Sequence, residues 1–147
     1  MSNVKPTGLA VMCMVTDGKG NILVQDRSDP NWPGITLPGG HVEEREAFVD
    51  AVEREGWEET GLRIQNPRIC GLHQFFIEDG SRYVVIFFRA DQWAGELKSS
   101  DEGRALWVPR KTVLERRCVK DFADMLAVFE DDSLSEFFED ACVNRLL

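Results

Sequence analysis

The sequence predicts an α/β fold in one domain, and three observations support this prediction. The 147 residues are 43% hydrophobic and 29% charged, which is the size and composition of an ordinary globular domain. Segments typical of strands alternate with segments typical of helices along the chain. No internal repeat or low-complexity linker divides it. Interspersed strands and helices indicate a single α/β or α+β domain over residues 1–147.

The strand predictions rest on apolar, partly β-branched runs that are bounded by turn residues. Two such runs, Gly8 to Val15 and Asn21 to Gln25, flank a glycine-containing turn, which predicts a hairpin. A short strand is predicted at 35–37 and a last strand at 105–108. Between them, residues 69–77 and 83–88 are predicted to form a second hairpin.

Two regions are predicted to be helical. Residues 45–60 contain no proline, are rich in Glu and Ala, and are followed by Gly61, a residue type that often ends helices. In the C-terminal region, apolar residues recur at helical spacing over 122–129 and again at Leu134, Phe137 and Phe138. This periodicity predicts helix in both of those stretches.

The charge balance excludes several classes of partner. The chain has 17 basic and 26 acidic residues, a net charge of −9, and such a surface repels polynucleotides and anionic membranes. No apolar run is long enough to span a bilayer. A small phosphate-bearing ligand remains compatible with the charge, because bound divalent cations locally reverse the sign of an acidic site.

The cysteines and the N-terminal segment predict a cytoplasmic protein. The four cysteines, Cys13, Cys70, Cys118 and Cys142, contain no C-x-x-C pair, so we expect reduced, mostly buried thiols. The apolar stretch from Leu9 is short and is followed by Asp17 rather than by a small-residue cleavage site, which favours a strand over a signal peptide.

The first predicted helix carries carboxylates where its apolar stripe should continue. On a helical wheel, Glu55 and Glu59 lie in line with Phe48 and Val52, and Glu58 converges on the same patch. Repulsion between like charges, the helix dipole and desolvation all disfavour this arrangement. A divalent cation would offset these costs, since carboxylate and carbonyl oxygens suit Mg²⁺ or Mn²⁺. The alternative is a solvated acidic helix face.

The spacing of these residues is more specific than their charge. Gly40 is followed by Glu46, then by the pairs 54–55 and 58–59, and finally by Gly61 and Leu62. This pattern resembles the Nudix box, G-x5-E-x7-R-E-U-x-E-E-x-G-U with U aliphatic, over residues 40–62, and every fixed residue matches. The first U position departs from the pattern because it is Gly56, and a helical glycine costs about 1 kcal/mol relative to alanine.

The resemblance to Nudix hydrolases implies a fold and an activity. The implied fold is the Nudix α/β/α sandwich, with a central mixed β-sheet between helices. Segments 32–43, 65–67, 80–83 and 135–138 further resemble short bacterial MutT-type enzymes that hydrolyse 8-oxo-dGTP. The implied function is an Mg²⁺- or Mn²⁺-dependent nucleoside triphosphate pyrophosphohydrolase that releases a nucleoside monophosphate and pyrophosphate. Two alternatives remain: a hydrolase of ADP-ribose, nucleotide sugars or other nucleoside diphosphate derivatives, and a non-catalytic nucleotide-sensing module.

The resemblance also implies roles for the box residues. The implied metal ligands are the Gly39 carbonyl and the carboxylates of Glu55, Glu58, Glu59 and Glu102. The helix glutamates among them would also activate or orient the attacking water. Asp101 is the alternative to Glu102 in its loop. Arg54 would orient Glu55, and Glu46 would support the geometry of the loop and the helix.

Candidates for substrate binding lie mostly outside the box. Arg27 matches an arginine that contacts phosphates in MutT-type enzymes, although an ordinary surface arginine is the simpler interpretation of the sequence. Gly40 would let the backbone approach the ligand closely. A purine needs an apolar face and polar partners for its edge, and the candidates are Trp32, Phe76, Asp121 and Asp124. Core packing and helix capping are the alternatives for these residues. The oligomeric state stays open, a homodimer included.

Overall fold

The computed structural model of the protein describes residues 3–147. Within this range the strands, numbered in chain order, are β1 (Thr7–Val15), β2 (Asn21–Arg27), β3 (Gly34–Thr36), β4 (Gly39–His41), β5 (Leu62–Gln65), β6 (Arg68–Phe76), β7 (Arg82–Ala90), β8 (Gln92–Gly95), β9 (Gly103–Pro109), β10 (Glu136–Asp140) and β11 (Val143–Leu146). The helices are α1 (Phe48–Thr60), α2 (Phe122–Glu130) and a 3₁₀ helix at Arg110–Glu115.

A six-stranded mixed sheet forms the centre of the molecule, with strand order β11-β10-β6-β7-β1-β4. β1 runs parallel to β7 and β10 parallel to β6, while the other neighbours are antiparallel. Strands β3, β2 and β9 form a second sheet, and β5 pairs with β8. This architecture of a mixed sheet with helices is the predicted α/β fold.

The two α-helices pack against opposite faces of the central sheet. Along β1, Val11 and Val15 join the apolar cluster that contains Val52 of α1, whereas Met14 joins the cluster that contains Phe129 of α2. A strand that is buried on both faces reads as a continuous apolar run. The uninterrupted apolar sequence of β1 therefore follows from its position between two cores.

The predicted hairpin between the first two strands is wrong. β1 pairs with β7 and β4, whereas β2 pairs with β3 and β9. The turn itself forms, since the Asp17 side chain accepts hydrogen bonds from the backbone N–H groups of Lys19 and Asn21. Only the bridge between Thr16 and Ile22 joins the two strands. The strands then separate because β1 takes a central position that needs partners on both edges.

The helix predicted at Leu134, Phe137 and Phe138 is also wrong, because both phenylalanines lie in strand β10 and Leu134 lies in the connection before it. Helix α2 ends at Glu130, and the Asp131 carboxylate accepts hydrogen bonds from Ser133 in the following turn. Phe137 is buried while its neighbour Phe138 is half-buried, which is strand alternation. The 122–129 helix and the second hairpin, β6 with β7, are confirmed.

Helix α1 is confirmed with a later start than predicted. Arg45 has a φ of 61°, which lies outside the right-handed helical region, and the helix begins at Phe48. It ends at Gly61, which adopts the left-handed conformation with φ of 76°. Glycine is the common residue at such helix ends because it has no Cβ to oppose this conformation.

The four cysteines are free, and only Cys13 is buried, so the expectation of mostly buried thiols is wrong. Cys70 and Cys118 are half-buried and Cys142 is exposed.

No helix in the described part of the chain is long and apolar enough to cross a membrane.

Gly56, the departure from the box pattern, is explained by its neighbour on β5. A Cβ at this position would lie 2.5 Å from Cδ1 of Ile64. Gly56 and Ile64 are both buried. The Ile64 side chain therefore fills the space that an aliphatic residue on the helix would take.

We predict that Gly56→Leu lowers the free energy of unfolding by about 1–3 kcal/mol, because it overpacks this contact. Ile64→Ala removes the side chain that the new leucine would overlap. The double variant should therefore lose less free energy of unfolding than the sum of the two single losses, by about 1 kcal/mol or more. Urea unfolding of the four proteins measures this interaction. The matched pair Gly56→Leu with Ile22→Ala, in the other core cluster, should be additive. Additivity of both pairs would contradict the packing explanation.

Candidate active site

Arg54, midway along α1, is the centre of an ion-pair network. Its guanidinium donates to both carboxylate oxygens of Glu46, from Nε at 2.8 Å and from Nη2 at 2.9 Å. Nη1 donates to Glu55 at 2.8 Å and to Glu58 at 3.3 Å. A further bond from Nη2 reaches the backbone carbonyl of His41 at 2.9 Å. One side chain thus ties the helix to the loop that precedes it.

The electrostatic consequence is clearest at Glu46. The hydrogen bond from Arg54, followed by the backbone N–H of Glu43, lowers the pKa of Glu46 to about 2. The carboxylates in turn raise the pKa of Arg54 above its ordinary value, with Glu46 the largest cause. Glu46 is therefore ionised throughout the neutral range and is fixed to Arg54.

Gly40 leaves room for the Glu55 carboxylate. A Cβ at position 40 would lie 2.6 Å from the Glu55 carboxyl carbon and 2.7 Å from each of its oxygens. Any larger residue would displace this side chain. The glycine that begins the box and the glutamate fifteen positions later are thus in direct contact.

Glu59 is the buried acid of the site, with 2% of its surface exposed. One of its carboxylate oxygens accepts a hydrogen bond from the Gly39 backbone N–H at 3.3 Å. Burial is the main cause that raises the pKa of Glu59 to about 9, and the neighbouring carboxylates of Glu55 and Glu102 add to it. A positive charge beside Glu59 would stabilise its ionised form.

Glu58 and Glu102 complete the acidic group at the accessible side. The Glu58 side chain is 55% exposed and reaches Arg54 only through one oxygen. Glu102 lies in the loop before β9, where its backbone carbonyl accepts a hydrogen bond from the Ser28 N–H, and it is close enough to Glu59 to shift its pKa. The fold thus brings the five predicted box residues together with Gly39 and Glu102.

The oxygen atoms of this acidic group have the chemistry that a hard divalent cation prefers. Four carboxylates and a backbone carbonyl are the oxygen ligands that Mg²⁺ and Mn²⁺ prefer. Among residues 3–147, however, no group of three or more His, Cys, Asp or Glu side chains is arranged to hold a metal ion as it stands. Arg54 engages both Glu55 and Glu58.

A cavity of about 520 Å³ lies directly beside this acidic group at Gly39 and Gly40. Its wall includes Gly39 and Gly40 together with the predicted substrate-binding residues Arg27, Trp32 and Asp121. The Arg27 guanidinium lies 4.8 Å from the centre of the Trp32 ring. Its Nε also donates to the Trp32 carbonyl at 3.0 Å. Cavities of this size are typical of sites for small organic ligands.

Phe76 and Asp124 do not lie in this wall, although both were candidates for binding the substrate. Phe76 packs against Phe138 and under the guanidinium of Arg82. The aromatic wall instead comes from Phe75 and Tyr83, which stack with ring centres 5.0 Å apart. Adjacent strand residues face opposite sides, and nothing in the sequence shows which of two consecutive phenylalanines faces the ligand.

Sequence reasoning missed several polar residues of the cavity wall: Gln25, Thr36, His41, His73, Lys120 and Glu139. Nε2 of His73 lies 2.9 Å from a carboxylate oxygen of Glu139, and burial lowers the pKa of His73 below its ordinary value. The Tyr83 hydroxyl lies 2.7 Å from Nδ1 of His41. These residues come from distant segments, so only the assembled sheet reveals their proximity.

Comparisons with known proteins identify relatives of this architecture. The NUDIX domain family matches residues 6–129. The Nudix hydrolase YvcI of Bacillus subtilis strain 168 is 40% identical over 97 residues, which cover 63% of this chain and 59% of YvcI. The phosphatase NudJ of Escherichia coli K12 is 31% identical over 80 residues, 54% of this chain and 52% of NudJ. The chain thus spans less than two thirds of either relative.

A solved structure matches more of the chain. The MutT protein from Bacillus halodurans superposes with a TM-score of 0.76 at 26% identity, covering 95% of this chain and 97% of that one. Nearly the whole chain therefore falls within the matched fold.

We predict that Arg54→Met raises the pKa of Glu46 from about 2 towards its ordinary value of 4.5, because the guanidinium is the main cause of the shift. A ¹³C NMR titration of the side-chain carboxyl measures this. A lowered pKa in the folded state stabilises the protein above pH 4.5, and this contribution disappears as the pH falls through the folded-state value. The difference in free energy of unfolding between wild type and Arg54→Met should therefore decrease as the pH falls.

Arg68→Met, on strand β6, is the matched control and should leave the Glu46 titration unchanged. A Glu46 pKa that stays near 2 in Arg54→Met would contradict the role of Arg54 in holding this carboxylate.

Proposed function

Because the chain belongs to the Nudix family, we propose that it is a divalent-metal-dependent pyrophosphohydrolase that cleaves a nucleoside triphosphate into a nucleoside monophosphate and pyrophosphate. The favoured substrate is 8-oxo-dGTP. One observation carries the proposal: Glu59 and Glu55 contact Gly39 and Gly40, and these two glycines line a cavity whose other walls suit a nucleoside. The proposal treats residues 1–147 as one Nudix domain.

We assign two roles to the chain's residues: the acidic group would bind the cation, and the cavity wall would bind the substrate. Glu55, Glu58 and Glu59 would hold the cation with the Gly39 carbonyl, and Glu102 would join them from its loop. A bound Mg²⁺ or Mn²⁺ supplies charge neutralisation at the phosphate oxygens and a water of lowered pKa. Arg54 would position Glu55, since it contacts that carboxylate and the preceding loop at once.

The phosphates would lie between the cation and the base. Arg27 adds a positive charge to the cavity wall, where it would contact phosphate groups. Trp32, Phe75 and Tyr83 offer aromatic surface, which purines need for stacking. Asp121 and Glu139 accept hydrogen bonds from N–H groups of a base edge. The likeness to the MutT protein of Bacillus halodurans agrees with the sequence resemblance to MutT-type enzymes, on which the choice of a triphosphate rests.

A substrate panel with product analysis tests the proposal. The protein is incubated with Mg²⁺ or Mn²⁺ and with 8-oxo-dGTP, the ordinary nucleoside triphosphates, ADP-ribose or a nucleotide sugar. Preferential release of pyrophosphate from 8-oxo-dGTP supports the proposal. Turnover of ADP-ribose or nucleotide sugars alone rejects the triphosphate, and no turnover of any compound favours a nucleotide-sensing module.

We predict that Glu59→Gln and Glu58→Gln each lower metal-dependent kcat by at least about 100-fold, the scale of losing a group that acts on the reacting atoms. The amide keeps the side-chain shape while it removes the negative charge. Glu53→Gln is the matched control, because Glu53 is an exposed residue of the same helix and should retain wild-type turnover. Full activity in both Glu58→Gln and Glu59→Gln would refute the assignment of the metal ligands.

A further inference from the structure

His41 lies where the acidic group meets the cavity. It follows Gly40, which lies against the Glu55 carboxylate, and its backbone carbonyl accepts a hydrogen bond from Arg54 at 2.9 Å. Adjacent strand residues face opposite sides of a sheet, so the His41 ring projects away from Glu55 and forms part of the cavity wall. The backbone of this residue is thus fixed to the acidic group while its side chain is open to a ligand.

The His41 ring is held by Tyr83 from across β1. Gly8 of β1 lies opposite Tyr83 of β7, and Ala10 of β1 lies opposite His41 of β4. Gly8 and Ala10 share one face of the sheet, so their two partners lie on that face as well. A Cβ at Gly8 would overlap the Tyr83 ring. The glycine therefore leaves the space in which Tyr83 reaches over β1 and brings its hydroxyl to 2.7 Å from Nδ1 of His41.

This hydrogen bond determines which ring nitrogen of His41 can donate. Among residues 3–147, Nδ1 of His41 is the only hydrogen-bond partner of the Tyr83 hydroxyl, so we assign the hydroxyl as the donor and Nδ1 as the acceptor. In a neutral imidazole the other nitrogen then carries the hydrogen. Nε2 makes no hydrogen bond within the same residues. An oriented N–H donor therefore lies without a protein partner beside the acidic group.

The other basic side chains of the cavity wall already have partners. Arg27 donates to a backbone carbonyl and to a carboxylate of the loop that follows it. Nε2 of His73 lies 2.9 Å from a carboxylate oxygen of Glu139, and the Lys120 ammonium lies 3.9 Å from the other oxygen. Within the described part of the wall, His41 is thus the basic residue whose donor is left for a ligand.

We infer that Nε2 of His41 donates a hydrogen bond to a phosphate oxygen of the substrate, and that Tyr83 is the positioning residue that orients the ring for this contact. The inference rests on the proposed function, because it assumes that phosphates lie between the acidic group and the cavity. A neutral N–H suits this place, since it bonds an anionic oxygen strongly and adds no charge that competes with a cation for the carboxylates.

Binding of inorganic pyrophosphate in the presence of Mg²⁺ tests this inference without catalysis and without a nucleobase. Titration calorimetry should show saturable binding to wild type. In His41→Asn the amide oxygen can still accept from Tyr83, but the shorter side chain has no donor at the Nε2 position. Its Kd for pyrophosphate should rise about tenfold or more, the scale of losing a hydrogen bond to a charged group. His41→Gln restores an N–H near that position and should recover most of the affinity.

Tyr83→Phe separates the positioning role from the contact itself. It removes the hydroxyl and keeps the ring that stacks on Phe75, so it should weaken pyrophosphate binding by less than His41→Asn does. Combined with His41→Asn it should cause little further loss, because Tyr83 acts on the phosphate through His41. Gln65→Asn shortens an exposed side chain of β5 and is the matched control, which should bind pyrophosphate as wild type does.

Equal pyrophosphate affinity of His41→Asn and wild type overturns the inference, and so does the absence of saturable binding to wild type. Equal losses in His41→Asn and His41→Gln, together with lowered melting temperatures, would make the histidine structural. Unchanged affinity in Tyr83→Phe overturns the role of Tyr83, and this variant decides the inference if His41→Asn does not fold. Failure of the proposed hydrolysis is separate, because it appears as absent turnover of nucleoside triphosphates by the wild type.

Discussion

The guanidinium of Arg54 is the contact on which the rest of the site depends. It ties Glu46 of the loop, the Glu55 and Glu58 carboxylates of α1 and the His41 carbonyl to one planar group. Without it, several carboxylates would face one another across a short distance, and like charges at this spacing repel. Arginine suits this position because its fork of donors satisfies several oxygens at once.

The same acidic group supports the proposal that a cation binds beside it. Arg54 compensates the outer carboxylates, but Glu59 is buried between Gly39 and Glu55 and has no arginine of its own. Removing a carboxylate from water without a partner is costly, and here burial raises its pKa. The cavity adjoins this acid at Gly39, and Gly40 also lines it. We propose that phosphate chemistry takes place at the carboxylates and base recognition in the adjoining cavity.

The sequence predicts the box well and the cavity poorly, for a physical reason. The box residues lie within 23 consecutive positions, and helical spacing brings them to one patch. The cavity depends on which strands pair and on which face each side chain takes. Long-range strand pairing decides which of Phe75 and Phe76 faces the cavity. It also decides which strands pair with β1 and that Glu136–Asp140 is a strand.

The most direct test of the account is Mn²⁺ binding, measured as the loss of the free-ion signal in electron paramagnetic resonance. The account predicts saturable binding to the wild type and to Glu53→Gln, with affinity weakened about tenfold or more in Glu59→Gln, the range seen when a metal site loses a supporting group. Equal affinity of Glu59→Gln and wild type for Mn²⁺ would contradict the claim that this buried carboxylate exists to hold a cation.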